Sequence, residues 1–153
     1  MDAITLLKDD HQAVSKLFKE FDNLGDQATT KKQQLVNTIT EELSKHAYIE
    51  ETLFYPFARE QVPDVEDDVK EGIEEHHVLK VTLAELGAMS PEDDEFDAKV
   101  TVLKEVVEHH VEEEEQEWFP KVRDAIGRND LTELGERMDA AKADAPTTPD
   151  PSE

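Results

Sequence analysis

The chain has 153 residues, 37% of them hydrophobic and 36% charged, enough for one domain with one sizeable core. Sixteen basic against 39 acidic residues give a net charge of −23, which repels nucleic acid and anionic lipid and attracts cations. The absence of cysteine excludes disulfides, thiolate-held zinc, iron–sulfur clusters and thiol nucleophiles.

Apolar residues recur at alternating spacings of three and four through most of the chain, the pattern of helices that bury one face. The first predicted helix carries Ile4, Leu7, His11, Val14, Phe18 and Phe21 on that face and ends at the turn D-N-L-G-D (22–26). The second carries Val36, Ile39, Leu43, His46, Glu50, Leu53 and Phe57, with Thr30 and Gln33 predicting a capping box at its start. It breaks at V-P-D (62–64), and the third follows with Val69, Gly72, His76, Leu79, Leu83 and Leu86. After G-A-M-S-P-E-D-D (87–94), Ser90 and Pro91 predict the start of the fourth, with Phe96, Val100, Leu103, Val107, His110 and Glu114 facing in. Alternation of the kind that makes strands is absent. The expected architecture is all-α: an antiparallel four-helix bundle over residues 1–126. A short fifth helix, capped by Asp130 with Glu133, is expected over 127–143, and a proline-rich, polar, disordered tail over 144–153.

The chain is also an internal repeat. D-H-Q-A-V (10–14) answers to E-H-H-V-L (75–79), and H-A-Y-I-E-E-T-L-F-Y-P (46–56) to H-V-E-E-E-E-Q-E-W-F-P (110–120). Six polar residues, His11, His46, Glu50, His76, His110 and Glu114, therefore sit where the periodicity asks for Leu or Val. Spacing of four puts His46 with Glu50, and His110 with Glu114, on one helix face. One histidine on an apolar face is ordinarily a hydrogen-bonded core residue. Four, with two carboxylates and one set per helix, are instead what a transition metal needs: neutral nitrogen donors and anions that offset the cation. Two His–Glu sets suggest two metals bridged by the carboxylates, with open positions for a small ligand. His77 and His109 compete with His76 and His110 for the third- and fourth-helix positions. Tyr55, Tyr48, Glu51, Glu115 and Glu117 are candidates for a seventh ligand, Tyr55 being out of phase on an ideal helix.

The pattern H…H-x-x-x-E…H…H-x-x-x-E, with E-E-x-x-[FW]-[FY]-P after each HxxxE, resembles the hemerythrin-like, HHE cation-binding domain over residues 1–125. The resemblance implies an oxo- or hydroxo-bridged pair of iron ions held by His11, His46, Glu50, His76, His110 and Glu114, reacting with O2 or its reduced forms. Oxygen-carrying hemerythrins have a second histidine four residues on in the third helix and end in His-x-x-x-x-Asp. Here position 80 is Lys, position 81 is Val, and the last carboxylate is Glu114. One iron thus lacks a histidine, which favours direct reaction with peroxide over reversible O2 carriage. The expected function is catalase-like decomposition of H2O2 with Glu50, Glu114 and Tyr55 acting in the reaction; the alternatives are O2 or NO binding and iron handling. Small-molecule ligands are expected, and neither nucleic acid nor membrane. The opening M-D-A-I-T-L-L-K-D-D lacks the basic-then-apolar signature of secretion, and a cytoplasmic protein is expected.

Overall fold

The structure is a computed structural model that describes residues 1–151; of the tail expected over 144–153, Ser152 and Glu153 lie outside the described residues. All regular elements among the described residues are helical. Helix α1 (Ala3–Asp22) is capped by Asp2, whose side chain accepts from the Thr5 N–H at 2.8 Å. Helix α2 (Thr29–Ile49) runs through a π-helical turn at Glu50–Phe54 into α3 (Tyr55–Gln61). A 3-10 turn at Pro63–Val65 leads to α4 (Glu66–Gly87). Helix α5 (Phe96–Glu113) passes through a second π-helical turn, Glu114–Trp118, into α6 (Phe119–Ala125). The four rods α1, α2–α3, α4 and α5–α6 form the antiparallel bundle, and the fifth helix, α7 (Arg128–Lys142), packs on α1. No helix among the described residues is long and apolar enough to cross a membrane.

The breaks fall where the turn chemistry predicts, but three of the predicted starts differ. Helix α2 begins one residue before Thr30, at Thr29 after Ala28, with no side-chain cap; Gln33 bonds Asn37 at 2.8 Å instead. Ser90 and Asp93 close a turn on their own backbone, Asp93 accepting from the Ser90 N–H at 2.8 Å, and the fourth rod starts only at Phe96. Helix α7 starts at Arg128 with Gly127 at the cap position, which places Asp130 inside the first turn, where its charge opposes the helix dipole's positive end.

The core is two apolar clusters. One gathers Val14, Phe18, Leu43, Leu79, Leu83, Phe96 and Leu103 toward one end of the bundle. The other gathers Leu7, Ile49, Phe54, Tyr55, Trp118 and Phe119 with Leu131, Leu134 and Met138 of α7, so the fifth helix completes the core at that end. Between the clusters lies the layer of buried histidines and glutamates. Gly72 of α4 faces that junction: a Cβ there would collide with Trp118 and stand 3.1 Å from the Tyr55 hydroxyl. Gly72→Ala is expected to destabilise the protein by about 1–3 kcal/mol through overpacking, read as a lower unfolding midpoint with a changed near-ultraviolet signal from Trp118.

Candidate metal centre

All six inward polar residues meet in one layer and are buried, Glu50 and Glu114 completely. Glu50, His76, His110 and Glu114 bring one ligand atom each within 4.8 Å of one another, and so do His11, His46 and Glu114. Glu114 belongs to both groups, and Glu50 Oε1 lies 2.9 Å from His46 Nε2 and 3.1 Å from His76 Nε2. The two carboxylates thus stand between the two histidine pairs, whose rings are 4.9 Å apart for His11 and His46 and 4.8 Å for His76 and His110. His77 is exposed, and the His109 side chain is 64% exposed. The adjacent His76 and His110 are the pair that faces in.

Each histidine is oriented from outside by a carboxylate on its Nδ1. His46 Nδ1 bonds Asp10 at 2.9 Å, His76 Nδ1 bonds Glu51 at 3.2 Å, His110 Nδ1 bonds Glu75 at 2.7 Å, and His11 Nδ1 bonds Glu115 at 2.6 Å. These bonds run from α1 to α2, from the turn after α2 to α4, from α4 to α5, and from the turn after α5 back to α1. The ring closes around all four rods. A carboxylate on Nδ1 turns the Nε2 lone pair toward the axis and raises its basicity, the arrangement found behind metal-bound histidines. Lys142 of α7 holds Asp10 in a close ion pair, and Lys80 holds Glu51 at 2.8 Å.

Asp10 and Glu75 were not among the residues singled out by sequence. The repeat does carry them, as the acidic residue before the first histidine of each half. Glu51 and Glu115, candidates for a seventh ligand, face outward onto histidine Nδ1 atoms instead. Tyr48 and Glu117 are exposed, so neither reaches the layer.

Tyr55 is buried, with its hydroxyl 3.3 Å from His76 Nε2, 3.4 Å from His110 Nε2 and 3.5 Å from Glu114 Oε1. The π-helical turn brings it there. On an α-helix, residues five apart are rotated by about 140°; in the π turn the Tyr55 N–H bonds the Glu50 carbonyl, and both side chains face in. Pro56 has no N–H to hold a regular α-turn. The second π turn repeats this, the Phe119 N–H bonding Glu114, but Phe119 brings no hydroxyl. Phe119 stacks on His11 as Tyr55 stacks on His76.

Several buried ligand atoms have no hydrogen-bond partner: His11 Nε2, His46 Nε2, Glu50 Oε2 and Glu114 Oε2. His46 Nε2 is close to Glu50 but not aligned for a bond. Orphaned polar atoms of this kind, converging in a buried interior, are costly unless a bound group satisfies them, and a cation would do so for the carboxylate oxygens and the neutral imidazoles. The electrostatics agree. Burial disfavours charge on His46, yet the Glu50 and Asp10 carboxylates push its pKa up to about 10. Burial and the Glu50 charge push Glu114 up to about 8, against the pull of His110. Burial and the positive His46 push His11 down to about 4. Without a cation, protons neutralise the layer, and metal binding must expel them. The donor set, four imidazoles and two carboxylates, suits a transition metal and fits a cation-binding role.

Buried His and Glu side chains around the axis of a helical bundle define a cation-binding helical protein. The chain belongs to the hemerythrin HHE cation-binding domain family, which matches residues 2–122. A solved structure of a hemerythrin HHE cation-binding domain-containing protein from Mycobacterium kansasii has the same fold, with a TM-score of 0.80 over 94% of this chain and 86% of that one, at 23% identity. A protein of Nostoc sp. (strain PCC 7120) described as a DNA nickase is 30% identical over 138 residues, 90% of this chain; the chain spans 38% of that relative's length.

Asp10→Asn and Glu75→Gln, each made alone, are expected to weaken metal binding by about 10–100-fold while the helical content stays unchanged. Titration against a competing chelator, paired with circular dichroism, checks both statements.

Proposed function

We propose that the layer holds two iron ions and that the protein decomposes hydrogen peroxide in the manner of a catalase. The observation that carries this reading is the placement of the Tyr55 hydroxyl among His76, His110 and Glu114. His11 and His46 would hold one iron, and His76 and His110, with the Tyr55 oxygen beside them, would hold the other. Glu50 and Glu114, which stand between the two histidine pairs, would be shared between them. An iron pair bound there would supply the two-electron store that 2 H2O2 → 2 H2O + O2 requires. The chain's own part is to orient the ligands through the outer carboxylates, to exclude bulk water with the two apolar clusters, and to keep an ionisable hydroxyl beside Glu114 Oε1. Burial first, then the charges of Glu114 and Glu50, hold the Tyr55 pKa well above its ordinary value, so without metal it keeps its proton.

A cavity of about 20 Å³, lined by Val14, Leu43, Leu79 and Val107 beside the four histidines, favours a second reading, reversible binding of O2 or NO. It has room for at least one water-sized molecule. The DNA nickase described for the Nostoc relative has weaker support here: a chain of net charge −23 repels a phosphate backbone.

Metal analysis followed by peroxide addition on an oxygen electrode separates the readings. The proposal predicts about two irons per chain, a near-ultraviolet oxo-bridge band and rapid O2 release. Tyr55→Phe is predicted to keep the iron, to lose any visible phenolate-to-iron absorption, and to slow O2 release by about 10²-fold or more. A stable, reversible oxy spectrum without O2 release would instead establish gas binding.

A further inference from the structure

The internal repeat gives the bundle two equivalent outer grooves, and they differ. Between α2 and α4, Ser44, Tyr48 and Glu51 line a cavity of about 80 Å³ that Lys80 and the segment at Pro146, Thr148 and Pro149 close. Lys80 is itself buried and paired to Glu51. Between α1 and α5, Glu108, Glu112 and Glu115 stand at the matching positions, Ser15 stands where the other groove has Lys80, and the cavity is about 380 Å³. The bond to His11 is the one ion pair Glu115 makes that is found among the described residues.

His11, Val107 and Val111 line both this open groove and the small cavity at the centre of the layer, so they are the wall between them. The His11 side chain is only 5% exposed, and its Nε2 has no partner. We infer that the α1/α5 groove is the route by which a divalent cation reaches the centre, with Glu108 and Glu112 drawing it in and His11 the first nitrogen to receive it. An acidic, walled groove concentrates cations and speeds their capture. The closed α2/α4 groove has a lysine ammonium in the same place, which repels them. The inference rests on cation binding alone and not on iron or peroxide chemistry.

The test mixes the metal-free full chain with Co²⁺ in a stopped-flow instrument and follows quenching of the single tryptophan, Trp118, whose ring lies 6.1 Å from that of His110. Ser15→Lys, which copies the closed groove, is expected to slow loading on the order of tenfold with the final stoichiometry unchanged. The double variant Glu108→Gln, Glu112→Gln is expected to slow it severalfold at low salt, the difference vanishing at about 1 M salt. Tyr48→Lys, which adds the same charge to the other groove, is expected to leave the rate within about twofold. Equal slowing by Tyr48→Lys and Ser15→Lys would overturn the route, as would unchanged rates in the double variant. If Ser15→Lys fails to fold by circular dichroism, the double variant decides. The wild-type end point separately reports whether the centre takes a cation at all.

Discussion

The bundle is organised by the pairing of six ionisable side chains in one buried layer. An isolated buried carboxylate costs several kcal/mol even after relaxation, and breaking a buried pair by removing one partner costs about 3–5 kcal/mol. The layer escapes that penalty only because its histidines and glutamates face one another and because each imidazole is tied outward to a carboxylate of a neighbouring rod. The same bonds fix the relative rotation of α1, α2, α4 and α5, since a rod turned by one residue would bring a surface side chain to the axis and break two bonds of the ring. Metal affinity and bundle geometry therefore have a common cause. Helix α7 shares in it through the Lys142–Asp10 pair, which links the fifth helix to His46.

The two halves are copies in sequence and in backbone, down to the π-helical turns before Pro56 and Pro120. Their chemistry is not copied. Tyr55 has Phe119 as its counterpart, and Lys80 has Ser15. The first pair gives one side of the layer an extra oxygen; the second closes one outer groove and leaves the other open. A symmetric scaffold thus carries an asymmetric centre.

The four rods were legible because their core stripes repeat at helical period and turn residues interrupt them, which is the physics that forms the rods. The six inward residues were legible as violations of that period, but the choice of His76 over His77 and of His110 over His109 was settled only by which imidazoles the folded bundle buries. What was not legible has definite reasons. Helix starts at Thr29, Phe96 and Arg128 depend on single-residue capping geometry, and Ser90 and Asp93 satisfied the backbone in a turn instead. Tyr55 was out of phase because a π turn leaves no mark on apolar periodicity. Asp10 and Glu75 were hidden in a chain where acidic residues cover most helix faces, so the carboxylates that orient His46 and His110 looked like ordinary surface charge.

The most direct measurement is the anomalous scattering of crystals of the iron-loaded protein, collected on both sides of the iron edge. The account predicts two peaks in the buried layer, one beside the Nε2 atoms of His11 and His46, the other beside those of His76 and His110 and the Tyr55 oxygen, with Glu114 touching both. A single peak, or iron only at the surface group of Glu75, His109 and Glu113, would contradict it.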